Sequence, residues 1–263
     1  MVRRSHQKPE KLDFIIAGAQ KAGTSALADF LESHPRVQMP HKDELHRTVQ
    51  PARHFFDDEE RFAQEPVDYS PLERGCFRKR AENLLGSTTP IYIYWKPAME
   101  RIRNYNEKIK LIVLLRDPAA RAFSHWNMQR DRDLEPLDFL EAVAAEQERA
   151  LAAEPLQLRK HSYVDRGFYA EQMARVFRFF PREQVQAIKF EEFRRDPHAT
   201  LEATCAFLGI EPLRKIDNRE NNSTPYARKM TAFERQTLVD LYRSDIERVE
   251  KLLGWDCSDW KKM

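Results

Sequence analysis

The chain has 263 residues, 41% hydrophobic and 33% charged, enough for one large domain with a sizeable core beneath a charged surface. With 44 basic against 42 acidic residues the formal net charge is only +2, which excludes the strong basic excess of a bulk nucleic-acid binder. The longest apolar runs, Phe14–Ala17 and Leu111–Leu115, are far too short to span a bilayer, and the start carries no apolar stretch of signal-peptide length. A soluble, cytoplasmic protein without membrane insertion is expected. Cys76, Cys205 and Cys257 are odd in number and lack CxxC spacing, which argues against a disulfide framework or a thiolate zinc site. Cys205 falls in a helical apolar stripe and reads as a small core residue.

In chain order, residues 1–10 read as a mobile basic tail, and 11–263 as one domain. Leu12–Ala17 reads as a buried strand ended by Gly18. The spacing of Leu27, Phe30 and Leu31 predicts a helix over Thr24–Ser33, with Thr24 or Ser25 as its N-cap. Val37–Met39 is a second strand, cut off by Pro40. From His41 to about Phe77 the pattern is that of a long functional loop with short helices. Leu84–Ser87 reads as a strand before a turn at Thr89-Pro90, and Ile109–Leu115 is the clearest strand of all. Helices follow at Ala119–Met128, with Pro118 in the first turn, over 136–152, and at Phe168–Phe180. A strand at Val185–Phe190, a helix at Pro197–Leu208 and a final helix at Ala232–Leu253 complete the chain. Alternating strands and helices predict an α/β fold with a P-loop-type central parallel sheet covered by helices on both faces.

Two stretches carry the chemistry. In the first, Phe14-Ile-Ile-Ala-Gly-Ala-Gln-Lys-Ala-Gly-Thr-Ser-Ala-Leu27, a buried strand turns through small residues straight into a helix. That geometry aims backbone N–H groups and the positive helix end at one point, where an anion is stabilised. Gly23 permits close approach, Thr24 and Ser25 add hydroxyls, and Lys21 adds a positive charge. A nucleoside-triphosphate loop would read G-x-x-x-x-G-K-[ST]. Here Thr24 stands where that lysine belongs, and the cation lies three positions earlier at Lys21. The loop therefore suits a 5′-phosphate or phosphosulfate better than a triphosphate, an ordinary strand–turn–helix being the bland reading.

In the second stretch, Arg116 follows the strand Ile109–Leu115, and Ser124 lies eight residues on, two helical turns away. An arginine at the carboxyl end of a parallel strand, with a hydroxyl nearby, can hold a second phosphate. The bland reading is an arginine ion-paired to Asp117 at the strand end.

Together these stretches resemble the 5′-phosphosulfate loop and the 3′-phosphate motif of the sulfotransferases that use 3′-phosphoadenosine 5′-phosphosulfate (PAPS). The likeness is strongest to the branch of bacterial and heparan-sulfate-type carbohydrate sulfotransferases. Further matches extend it over most of the chain: His54-Phe55-Phe56-Asp57, Thr89-Pro90, Arg166-Gly-Phe-Tyr169, Phe179-Phe180-Pro181, and Asp196-Pro197 before Phe207-Leu208-Gly209. The resemblance implies that Lys21, Ala22, Gly23, Thr24 and Ser25 surround the 5′-phosphosulfate, and that Arg116 and Ser124 hold the 3′-phosphate. It also implies a closing segment at Tyr226-Ala-Arg228-Lys229, with a solvated basic turn as the alternative.

The implied reaction moves a sulfuryl group from PAPS to an acceptor hydroxyl or amine and releases adenosine 3′,5′-bisphosphate, without a metal. Lys21 would stabilise charge on the departing phosphate oxygen. In the heparan-type branch the base is a glutamate shortly before a His-Phe-Phe run. Here Lys42-Asp43-Glu44-Leu45-His46 is separated from His54-Phe55-Phe56 as if by a short insertion, so Glu44 is the expected base and His46 the second choice. His54 and His125 read as positioning or packing residues. Where that branch has a lysine two residues before the proline of its Thr-Pro turn, this chain has Thr88, which disfavours a heparan-like acceptor. A small molecule, a lipid, a carrier-bound intermediate or another glycan fits better, with the acceptor pocket formed by loops near 41–70, 88–96 and 125–165. The competing readings are a P-loop nucleotide kinase or NTPase, and a catalytically silent nucleotide-binding relative.

Overall fold

A computed structural model describes residues 10–39, 54–73, 78, 80–213, 226 and 228–262. The strands are β1 (Phe14–Gly18), β2 (Val37–Gln38), β3 (Leu84–Thr88), β4 (Lys110–Leu115) and β5 (Val185–Lys189). They form a five-stranded sheet in the order β2-β3-β1-β4-β5, with every pairing parallel. All of β1 and Leu111–Leu115 of β4 are buried, the near-continuous apolar runs that a sheet covered on both faces demands. Because β1 and β4 are neighbours, the two chemical stretches leave the same edge of the sheet side by side.

The helices are α1 (Thr24–Glu32), α2 (Glu59–Phe62), α3 (Ser70–Glu73), α4 (Ala98–Tyr105), α5 (Pro118–Arg130), α6 (Phe139–Ala144), α7 (Glu146–Ala152), α8 (Tyr169–Phe179), α9 (Phe190–Arg195), α10 (Pro197–Leu208) and α11 (Ala232–Leu253). They pack as two sets, α1 with α9 and α10, and α4, α5, α8 and α11 with one another. Local chemistry sets the boundaries. Asp117 caps α5 by accepting from the Ala119 and Ala120 N–H groups, with Pro118 in the first turn, and Asp196 and Pro197 do the same for α10. Thr231 and Glu234 form a capping box that starts α11, and Gly254 ends it in the left-handed conformation.

Several expectations need correction. The predicted helix over 136–152 is two helices that meet at Ala145, where Glu146 turns its carboxylate inward onto the backbone N–H groups of Val164 and Asp165. The strand expected through Phe190 stops at Lys189, and Phe190 begins α9. Helix α4 was not foreseen, although Ala98, Met99, Ile102 and Tyr105 make a buried face at helical spacing. Cys205 and Cys257 are buried free thiols, Cys205 within the core as expected. No helix among the described residues is long and apolar enough to cross a membrane. Glu44 and His46, and residues 1–9 of the expected tail, lie outside the described residues.

Candidate functional site

Beyond Gly18 the chain turns through Ala19–Gly23 into α1, pinned by bonds from the Ala19 N–H to the Leu114 carbonyl and from the Ala22 N–H to the Ala19 carbonyl. Two residues of this turn are left-handed, Lys21 at φ 72° and Gly23 at φ 85°. Gly23, not Thr24 or Ser25, is the N-cap of α1, because its left-handed backbone makes Thr24 the first helical residue. No side chain caps the helix start, so its first N–H groups and the positive end of the dipole stay available to an anion. Thr24 and Ala22 are buried there, and Ser25 is exposed.

Arg116 leaves the end of β4 and donates from Nη1 to the Lys21 carbonyl at 3.1 Å, joining the two stretches directly. Its guanidinium lies 4.9 Å from the centroid of the Phe190 ring. The same ring backs Gly23, where an added Cβ would stand 2.8 Å from it. Arg116 does not pair with Asp117, which is taken by its cap and by Arg235 of α11 at 2.5 Å. Among the described residues neither Arg116 nor Lys21 forms an ion pair with a carboxylate. Burial, then the neighbouring charges of Arg116 and Arg132, lower the pKa of Lys21.

Ser124 is buried on α5, two turns beyond Arg116. Arg228 lies over the rings of Phe123 and Trp126, the α5 residues on either side of Ser124 and His125, at 5.3 and 5.0 Å from their centroids. Its guanidinium is held bidentately by Glu234 at 2.9 and 2.6 Å. Tyr226 meets Phe123 edge-on, and Lys229 is exposed. The structure thus brings Tyr226 and Arg228 onto the α5 segment that carries Ser124.

A second network was legible only in part. His54 Nδ1 and Arg159 Nη1 both bond Asp57 Oδ2, at 2.9 and 2.5 Å, and the Asp57 side chain is fully buried while that of His54 is half exposed. Burial alone would raise the Asp57 pKa, but the bonds from His54 and Arg159 outweigh it and hold the carboxyl below its usual range. The Arg159 carbonyl accepts from Arg166, which also donates to Gln20 beside Lys21. Burial pushes the Arg166 pKa down to about 10. His54, Asp57 and Arg166 lay within recognised motifs, but the part of Arg159 was missed because its partners are far away in sequence. His125 is fully buried, and burial, followed by the neighbouring charges of Arg166 and Arg121, lowers its pKa.

The sheet, the loop between β1 and α1, and two cations at the carboxyl ends of β1 and β4 that have no carboxylate partner among the described residues make a P-loop-type α/β protein with a candidate site for an anion. The chain belongs to the sulfotransferase family, whose sulfotransferase-domain profile matches residues 11–251. It is similar to the human bifunctional heparan sulfate N-deacetylase/N-sulfotransferase 3, at 28% identity over 216 residues covering 76% of this chain and 22% of that protein. It is also similar to the mouse heparan sulfate glucosamine 3-O-sulfotransferase 5, at 26% identity over 206 residues covering 75% of this chain and 53% of that one. The chain therefore spans between about a fifth and a half of these curated relatives. The crystal structure of a sulfotransferase from Alicyclobacillus acidocaldarius superposes with a TM-score of 0.75 at 28% identity, covering 96% of this chain and all of that one.

Proposed function

We propose that the chain transfers the sulfuryl group of PAPS to a hydroxyl or amine of a small-molecule, lipid, carrier-bound or glycan acceptor. The acceptor atom attacks sulfur in line, the bond from sulfur to the 5′-phosphate oxygen breaks, and adenosine 3′,5′-bisphosphate leaves. Lys21 neutralises charge growing on the departing oxygen, with Ala22, Gly23, Thr24 and Ser25 around the 5′ end. Arg116 and Ser124 take the 3′-phosphate, and Tyr226, Arg228 and Lys229 border the nucleotide. The observation that carries this reading is the pair Lys21 and Arg116, two adjacent cations without a carboxylate partner among the described residues. Such a pair is costly unless an anion completes it. The proposal extends to a single domain over 11–263.

Calorimetry is the test. Adenosine 3′,5′-bisphosphate should bind without magnesium, and more tightly than adenosine 5′-phosphate. No heat with the bisphosphate beside a clear signal with magnesium and ATP would return the chain to the kinase reading.

Glu44 is the proposed general base and His46 the second choice. A further reading of the proton step rests on His54, whose exposed ring is oriented by the buried Asp57. Glu44→Gln should lower transfer from PAPS by about 10²–10⁴-fold with bisphosphate affinity unchanged. Should Glu44→Gln stay active while His54→Gln loses transfer, the base is His54.

A further inference from the structure

The peptide group that follows Arg116 is held from both sides. Its carbonyl, that of Arg116, accepts from the Tyr169 hydroxyl at 2.9 Å. Its N–H, that of Asp117, donates to Glu191 Oε1 at 3.0 Å. Both holders meet one residue from the far end of the described chain. Trp260, almost wholly buried, donates its indole N–H to the other Glu191 oxygen at 3.0 Å and meets the Tyr169 ring edge-on at 6.1 Å. Arg235 closes the arrangement, binding the Asp117 carboxylate from one guanidinium nitrogen and the Trp260 carbonyl from the other.

Fixing that peptide plane fixes the backbone from which the Arg116 side chain projects. A guanidinium recognises a phosphate through directional, paired N–H bonds, so its value depends on aim as well as on charge. Each Glu191 oxygen has a separate partner, one on the Arg116 turn and one on Trp260. A rotation of either partner is therefore transmitted to the other.

We propose that Trp260, Glu191 and Arg235 are positioning residues for Arg116 and set the preference of this protein for a 3′-phosphorylated nucleotide over its 3′-dephosphorylated form. This rests on the assignment of Arg116 to the 3′-phosphate made above. The segment around Trp260 is then part of the cofactor-recognition machinery, although it lies far from the Lys21 loop in sequence.

The experiment is calorimetry on the full chain with adenosine 3′,5′-bisphosphate and, separately, adenosine 5′-phosphate. The proteins are the wild type, Arg116→Ala, Trp260→Phe and Glu191→Gln. Trp260→Phe keeps an aromatic ring in the site and removes the N–H. In both positioning variants bisphosphate affinity should fall about 5- to 10-fold, the equivalent of one ordinary hydrogen bond, with 5′-phosphate affinity unchanged. A merely structural role would lower the melting temperature and leave the ratio of the two affinities intact, and that result overturns the inference. Should Glu191→Gln fail to fold, Trp260→Phe decides alone. A ratio lost in Arg116→Ala but kept in the positioning variants removes this inference only. A wild type without any preference, or an Arg116→Ala variant that keeps it, removes the Arg116 assignment and the inference with it.

Discussion

Replacing Lys21 with alanine should lower turnover with PAPS by about 10²–10³-fold, the range for removing one group that stabilises charge developing in a transition state. The fold should survive, because alanine at this left-handed position meets the same backbone penalty as lysine. Among the described residues the Lys21 ammonium forms no ion pair with a carboxylate, and it is repelled by Arg116 and Arg132, so its removal breaks no ion pair there. The checks are single-turnover transfer and a melting curve; near-wild-type transfer would take Lys21 out of the mechanism.

The same residue predicts a pH dependence. Its pKa is lowered in the free protein by burial and then by neighbouring cations. The protonated, active form is therefore lost on the alkaline side earlier than for an ordinary lysine. Bound PAPS brings negative charge and favours the ammonium again. The alkaline limb of kcat/KM, which reports the free enzyme, should thus lie at lower pH than the limb of kcat. Coincident limbs in wild type would show that Lys21 is not the group being titrated.

Gly23→Ala should be the most damaging small substitution in the loop. At φ 85° an L-residue costs about 1–2 kcal/mol. The new Cβ would also stand 2.8 and 2.9 Å from two atoms of the Phe190 ring, so the ring must move, an overpacking cost of about 1–3 kcal/mol. The sum corresponds to a fall in melting temperature of roughly 5–15 °C. Since the displaced ring also lies beneath Arg116, bisphosphate affinity should fall as well, by about 10- to 100-fold. A variant with unchanged melting temperature and unchanged affinity would mean that the Phe190 contact is not maintained in solution.

The sheet was legible because β1 and β4 are short apolar runs closed by Gly18 and by Arg116-Asp117-Pro118, signals contained within a few residues. The loop around Lys21 was legible for the same reason. Helix α9 escaped because Phe190 follows directly on the strand pattern Val185–Lys189 and reads as its continuation, while its ring serves Gly23 and Arg116. The network through Asp57 and Arg166 escaped because its bonds join residues 102 and 146 positions apart, and no local period records such contacts. The N-cap of α1 was misread for a subtler reason. Thr24 and Ser25 are good capping residues by type, but the left-handed Gly23 takes the position first.

Lys21 holds a backbone conformation in which any side chain is penalised and glycine is not. A library screened only for heat resistance should enrich glycine or asparagine at this position and discard the ammonium along with the penalty. Thermal hardiness and turnover are set against each other at a single residue, so the two must be screened together.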